Sequence, residues 1–285
     1  MMNLYQNYIN RTILLSEDCY PCYKTPVYKV NKEELENLYA QGFLPEIKVN
    51  APKENEHVKI AVILGQDKHP DRKEKDFTIH PSYVRAIVNA GGCPVFFTYD
   101  KVQEVLENYK PQGILLIGGF FHSPREWYVD DETDDLDKRG QAYIDALSYA
   151  KSHKLPLLGI CAGMQMLGGF CGAKLKKGFK SHLVGGDEVA HNVKVLEKTL
   201  LAKISKTLNL KVNSHHSEVL VEDNLGDCVM VAQADDGVVE AIELKNPWND
   251  FVLGLQWHPE RDFPNSEDFR THLFDAFVKA CKVLD

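Results

Sequence analysis

An α/β fold around a mostly parallel central sheet follows from three features of the sequence. Short apolar, β-branched runs alternate with helix-period segments between residues 58 and 160. After about residue 190 the rhythm changes to strands joined by short turns, with Asp235-Asp236-Gly237 marking a hairpin. One more apolar run, Phe251–Trp257, then precedes a closing helical segment. Strands separated by helices imply parallel pairing with right-handed crossovers, and the turn-joined strands imply an antiparallel section inserted before the last core strand.

Each element has its own signal. Val58–Leu64 is a continuous apolar run of strand length, the pattern of a buried strand. Pro81–Ala90 carries apolar residues at helical spacing and stops at Gly91-Gly92. Pro94–Thr98 is predicted as a second strand, Val102–Tyr109 as a helix, and Gly113–Ile117 as a third strand ending in Gly118-Gly119. Leu136–His153 is predicted as a long amphipathic helix and Leu155–Ile160 as a fourth strand. The later strands are predicted at Val189–Leu196, Lys211–Asn213, Val219–Glu222, Cys228–Gln233, Val238–Leu244 and Phe251–Trp257, with a helix over Phe269–Val283. Residues 1–56 differ from the rest, with Pro21, Pro26, Pro45 and Pro52 and one periodic stretch, Asn31–Ala40, where Asn31 and Glu34 form a capping-box pattern. They read as an N-terminal extension packed on the main domain of residues 57–285, because so short a piece builds a separate core with difficulty.

Composition narrows the function classes. The chain has 285 residues, 33 Lys+Arg against 41 Asp+Glu, and a net charge of −8. Hydrophobic residues at 44% and charged residues at 26% describe a globular chain with a sizeable core. The acidic balance argues against nucleic acid as a partner, since phosphate binding needs surplus basic surface. No apolar stretch approaches membrane-spanning length, and the N-terminus lacks the basic start and apolar segment of a signal peptide. Seven cysteines with scattered spacing do not form a disulfide framework, so a reducing, cytoplasmic location is expected.

The chemistry concentrates at Leu157-Leu158-Gly159-Ile160-Cys161-Ala162-Gly163-Met164-Gln165, an apolar strand running into Gly-x-Cys-x-Gly and then a helix. This is the thiol form of a nucleophile elbow, in which a side chain two residues either side of the nucleophile would collide with the turn. The helix N-terminus then favours thiolate at Cys161. Glu260 follows His258 by two residues, a spacing that lets the carboxylate hold one imidazole nitrogen while the other faces the thiol. Ala162 N–H and the backbone of the Gly118-Gly119 turn are the expected oxyanion donors.

The segments Gly-Ile-Cys-Ala-Gly-Met-Gln, Ile-Gly-Gly and Gln-Trp-His-Pro-Glu resemble the class I glutamine amidotransferase fold, a flavodoxin-like architecture. The segments at 90–96, 212–216 and 236–242, with His191 opening a strand, are similar to the gamma-glutamyl-gamma-aminobutyrate hydrolase branch. The resemblance spans residues 58 to 280 and makes 57–285 the catalytic domain. It implies Cys161 as a nucleophile that forms a gamma-glutamyl thioester, His258 as general base and then acid, and Glu260 as the residue that orients it. It also implies an oxyanion hole at Gly119 and Ala162, substrate contacts from Gln165, Ser214, His215 and His216 with Ser217 beside them, and no metal or organic cofactor. The chain departs from the branch at Ala162, where Arg is usual, at Ser217, where Gln is usual, and along residues 120–128. Those departures bear on the substrate rather than on acyl transfer.

Three functions compete. The first is a cysteine hydrolase acting on a small gamma-glutamyl substrate, with no nucleic acid or membrane partner and with room for a homo-oligomer. The second is a glutaminase subunit passing ammonia to a synthase on another chain. The third is a non-catalytic binding protein, which the complete Cys161, His258 and Glu260 set disfavours. Cys19-x-x-Cys22 reads as structurally neutral, as do Cys93, Cys171, Cys228 and Cys281. The six acidic residues within Asp130–Asp137 read mainly as a solvated run favoured by a helix N-terminus, with a rim attracting an amine-bearing substrate as the alternative. Lys174–Lys180 reads as a solvated turn.

Overall fold

The computed structural model describes residues 2–3, 29–30, 58–68, 75–120, 122–130, 135–264 and 266–282. Most of the expected N-terminal extension, the Asn31–Ala40 helix and the Cys19/Cys22 pair lie outside the described residues. Within 1–56 the described pieces are two short strands, Met2–Asn3 and Lys29–Val30, paired antiparallel.

A nine-stranded sheet organises the remainder. Its strands in chain order are β1 (Val58–Ile63), β2 (Gly92–Phe97), β3 (Gly113–Leu116), β4 (Leu157–Ile160), β5 (His191–Val195), β6 (Asn209–Val212), β7 (Cys228–Ala234), β8 (Val239–Leu244) and β9 (Val252–Leu255). Across the sheet they run β6-β5-β7-β8-β9-β4-β3-β1-β2. Strands β2, β1, β3, β4 and β9 are mutually parallel, and β8, β7, β5 and β6 extend the sheet antiparallel from β9. The parallel part has the flavodoxin order 2-1-3-4-5, which gathers ligand sites at the carboxyl ends of its strands. The insertion of an antiparallel section before the last core strand is as the sequence predicts.

The helices are α1 (Pro81–Asn89), α2 (Val102–Tyr109), α3 (Lys138–Ser152), α4 (Ala162–Phe170), α5 (Leu200–Ser205) and α6 (Glu267–Cys281). Alternate residues of β1 feed two cores. Ile60 and Val62 pack on one face with Ile87 of α1 and with Phe274 and Phe277 of α6. Ala61 and Ile63 pack on the other with Leu106 of α2, Leu147 of α3 and Leu167 of α4. Burial on both faces explains why β1 reads as an unbroken apolar run instead of an alternating one. Pro94 is tolerated in β2 because that strand is the sheet edge, where a missing N–H breaks no ladder bond.

Local chemistry sets the helix starts. Asp137, the last acid of the 130–137 run, caps α3 by accepting the Gly140 N–H at 2.8 Å. Arg125 pairs with Asp135 at 3.4 Å. None of the described acids of that run lines the cleft described below, so among the described residues the run serves the helix start and the surface. Thr199 caps α5, a six-residue helix absent from the sequence prediction, by accepting the Ala202 N–H at 3.0 Å. The lysine-rich segment is corrected: Leu175–Lys177 is a strand paired antiparallel with Glu218–Leu220, and Leu175 is fully buried. The strand predicted at Val219–Glu222 is therefore real but belongs to this separate pair. A hairpin of Gly65–Lys68 with Lys75–Thr78 also lacks a counterpart in the sequence prediction.

Candidate active site

Three strand ends meet at one cleft of about 620 Å³, at the carboxyl edge of β3, β4 and β9. Cys161 stands between β4 and α4 with φ 54° and ψ −112°, a strained conformation for a residue with a Cβ. The Cys161 N–H donates to Leu255 O of β9 at 2.7 Å, which holds the elbow to the neighbouring strand. Both flanking glycines are sterically required. A Cβ on Gly159 would stand 2.7 Å from Gly163 O, and one on Gly163 would overlap the Leu116 carbonyl. The segment thus has the strand-turn-helix geometry and the two sterically required glycines that the Gly-x-Cys-x-Gly spacing predicts.

His258 follows β9 and is 6% exposed. Its Nδ1 lies 2.9 Å from Glu260 Oε1, and its Nε2 makes no hydrogen bond. Burial works to lower its pKa, but the Glu260 carboxylate and the Cys161 sulfur outweigh burial and raise it to about 10. The Gly118-Gly119 turn after β3 closes the constellation: a Cβ on Gly118 would sit 2.8 Å from His258 Cε1 and 3.2 Å from Cys161 Cβ. The cysteine and the histidine therefore lie on the same wall of the same cleft, against a turn that admits only glycine.

That turn is locked by residues the sequence reading did not single out. Gly118 N–H donates to Tyr83 Oη at 3.0 Å, and Gly118 O accepts from Arg139 Nη2 at 2.8 Å. Arg139 also donates to Tyr143 Oη at 3.0 Å, and Tyr143 donates in turn to Ile117 O at 2.8 Å. With the Gly118 amide committed to Tyr83, Gly119 is the glycine of the pair left to serve a substrate oxygen. Its φ of 138° suits glycine, and a Cβ there would overlap Arg139. Ala162 opens α4, so its N–H has no acceptor within the helix.

The other sequence-predicted residues divide. Gly119, Ala162, Gln165, His215, His216 and Ser217 line the cleft, and Glu260 is buried behind His258. Gln165 commits its amide nitrogen to Glu218 O at 2.8 Å and Gln256 Oε1 at 3.2 Å, so it fastens the loop after Ser217. The His215 carbonyl receives the Cys161 thiol at 3.9 Å. Ser214 does not line the cleft: its fully buried hydroxyl donates to His182 O at 2.9 Å, which turns it away from any substrate. Asn213 is the residue the reading missed next to it, and its side chain grips the His258 backbone. The rim carries Phe120, 86% exposed, and Leu183, 48% exposed.

A model of the peptidase C26 family matches residues 59–260. The chain belongs to that family. Among relatives of this peptidase C26 protein, the gamma-glutamyl-gamma-aminobutyrate hydrolase of Escherichia coli (strain K12) is 29% identical over 228 residues, covering 72% of this chain and 87% of the relative. A Rickettsia prowazekii (strain Madrid E) protein named for its likeness to glutamine amidotransferases is 27% identical over 262 residues, covering 73% of this chain and 90% of the relative. A Thermoplasma acidophilum protein described as a GMP synthase component has a crystal structure that superposes with TM-score 0.54 at 19% identity, covering 79% of this chain and 94% of the other. The peptidase C26 chain thus has the class I glutamine amidotransferase fold and is an enzyme of the glutamine amidotransferase-like type. Among the described residues no helix is long and apolar enough to cross a membrane.

Proposed function

We propose that this protein is a cysteine-dependent hydrolase that cleaves a gamma-glutamyl amide through a thioester, releasing glutamate and an amine. One observation carries the reading: a strained elbow cysteine shares a cleft wall with a buried histidine whose far nitrogen is held by a carboxylate. The name of the Escherichia coli relative, a gamma-glutamyl-gamma-aminobutyrate hydrolase, supports the substrate class.

In this mechanism the Cys161–His258 pair shares one proton, held on His258 as the Cys161 thiolate adds to the gamma-carbonyl carbon. The oxyanion that forms is received by the N–H groups of Gly119 and Ala162, each such donor being worth roughly 10²–10³ in rate. Collapse breaks the C–N bond, and the proton on His258 passes to the leaving amine. Water then adds to the thioester carbonyl, giving its proton to His258, and collapse releases glutamate and the Cys161 thiolate with His258 again protonated. Glu260 keeps the imidazole in the tautomer that can serve both steps.

The test is glutamate release from a panel of gamma-glutamyl amides by the full chain, with Cys161→Ala as blank. Turnover by the wild-type chain and none by the blank is expected, with a covalent adduct of a glutamine-like electrophile seen by intact mass on the wild-type chain alone. Equal turnover by Cys161→Ala would end the proposal. So would activity that appears only when a separate synthase chain is added.

A further inference from the structure

Behind the cleft wall four segments converge on one carboxylate. Glu240 of β8 is fully buried, and its Oε1 lies 3.4 Å from His182 Nδ1, 3.2 Å from His191 Nε2 and 3.6 Å from His216 Nε2. Neither Glu240 oxygen makes a hydrogen bond of acceptable geometry, and neither does His191 Nε2. A buried carboxylate without aligned donors is costly, yet three imidazole nitrogens crowd one of its oxygens.

The outer nitrogens explain the crowding. His182 Nε2 is 2.9 Å from Asp236 Oδ2, and His216 Nδ1 is 3.1 Å from Glu218 O. With those outer nitrogens facing acceptors, His182 Nδ1 and His216 Nε2 are the ring nitrogens that face Glu240. They are 3.2 Å apart, and the nearby Ser214 hydroxyl reaches both His182 O at 2.9 Å and His182 Nδ1 at 3.2 Å. Two imidazole nitrogens and one carboxylate oxygen thus surround one point, the donor types that a divalent cation takes.

The spacing fits a particular class of ion. Tetrahedral N and O ligands about 2.0–2.1 Å from a metal are separated from each other by about 3.3–3.4 Å. The triangle of His182 Nδ1, His216 Nε2 and Glu240 Oε1 has edges of 3.2, 3.4 and 3.6 Å. His191 Nε2 also lies 3.2 Å from Glu240 Oε1, but it groups within 4.8 Å with His182 and Glu240 and not with His216, so His191 stands beside the triangle rather than in it. Outer contacts from a carboxylate and a carbonyl to the ligating rings are the support that histidine-metal sites use.

We propose that His182, His216 and Glu240 bind a divalent transition-metal ion of the zinc class. The ion ties the turn at His182, the Ser214–Glu218 segment and β8 into one unit. Because His216 also lines the cleft, the ion fixes the cleft wall rather than taking part in bond breaking.

The experiment uses the full chain carrying Cys161→Ala, so that the elbow sulfur contributes no ligand. After chelator treatment, Zn²⁺ is titrated calorimetrically and Co²⁺ is followed by its visible d–d bands. One equivalent bound, with a Co²⁺ spectrum of tetrahedral intensity and a raised melting temperature, is the expected result. Glu240→Gln should weaken binding at least tenfold, and Asp236→Asn, at an exposed outer contact whose loss leaves the core intact, by roughly 10–100-fold. Asp235→Asn, its neighbour on the same turn, should leave affinity unchanged. Saturable binding that survives both Glu240→Gln and Asp236→Asn, or no saturable binding at all while circular dichroism shows the chain folded, would overturn the proposal and leave a protonated imidazole as the central cation.

Discussion

The side chain of Asn213 brackets the backbone of His258, accepting its N–H at 2.8 Å and donating to its carbonyl at 2.9 Å. Two bonds from one rigid amide fix where the imidazole enters the cleft, from a residue 45 positions away in the chain. Asn213→Ala would orphan both buried groups, at about 1–3 kcal/mol each. The expected outcome is a lowered melting temperature and a kcat reduced at least tenfold with KM little changed, since the histidine would lose its aim while the cleft kept its shape. Asn213→Asp keeps the acceptor for the His258 N–H but turns a second acceptor on the His258 and Gly186 carbonyls, and should not restore the stability. An unchanged kcat in Asn213→Ala would show that Glu260 alone positions the ring.

Gly163→Ala tests the elbow. The added methyl would overlap the Leu116 carbonyl, which belongs to a central strand and cannot yield as a side chain would. Overpacking of this kind costs about 1–3 kcal/mol or more. A large fall in soluble yield or in denaturation midpoint is expected, whereas Gly178→Ala, at a glycine with open space around it, should be limited to its backbone strain. Equal effects at the two positions would contradict the steric account.

The elevated pKa of His258 has a direct consequence for stability. Its folded value of about 10 exceeds the ordinary 6.5, so the folded state holds the extra proton between those pH values. The stabilisation is fully present below pH 6.5 and is lost as pH rises through 10. Melting temperature should therefore fall with pH across that window more steeply for the wild-type chain than for His258→Gln. Cys161→Ala, which removes the sulfur's share of the attraction, should lower the imidazole pKa read by NMR. Parallel melting curves would mean that the histidine gains no proton on folding.

Arg139 positions the Gly118-Gly119 turn, which donates to the oxyanion in the proposed mechanism. It is buried, and its guanidinium holds Gly118 O and Tyr143 Oη, the latter bonded onward to Ile117 O. Arg139→Met keeps much of the apolar stem but frees the turn that presents Gly119. The expected loss falls on kcat, by roughly 10–10³-fold on the scale of a displaced oxyanion donor. Binding of a substrate-like gamma-glutamyl ligand to the Cys161→Ala background should change far less. A rise in KM with kcat intact would instead place Arg139 in substrate binding.

What could be read from the sequence depended on how far apart the cooperating residues lie. Gly159, Cys161 and Gly163 are contiguous, so the strand, the turn and the steric demand were all legible together. The pairing of His258 with Glu260 was legible for the same reason. Asn213 and Arg139 act across 45 and 21 residues, and nothing in their own neighbourhoods announces the partner. The strand at Glu218–Leu220 was visible as a run of β-formers, but its partner lay in a lysine-rich stretch whose buried Leu175 is one residue among charges. Ser214 shared a segment with the cleft residues, but its hydroxyl is spent on His182, 32 positions away, which its own neighbourhood does not announce.

Phe120 and Leu183 give the cleft an apolar rim, with Phe120 left 86% exposed. An exposed aromatic on a cleft edge costs little in the free protein and gains from covering apolar surface, at about 25 cal/mol per Å². Gamma-glutamyl amides with alkyl or aryl leaving amines should therefore have lower KM than glutamine, whose leaving group is ammonia. Phe120→Asp should raise KM for the alkyl and aryl amides several-fold while leaving glutamine nearly unaffected, because a ring at the rim has nothing to cover when the leaving group is so small. Steady-state kinetics on a matched series of leaving amines measures this directly. A series in which KM is independent of the amine's apolar size, in both the wild-type chain and Phe120→Asp, would show that the rim plays no part in choosing the substrate.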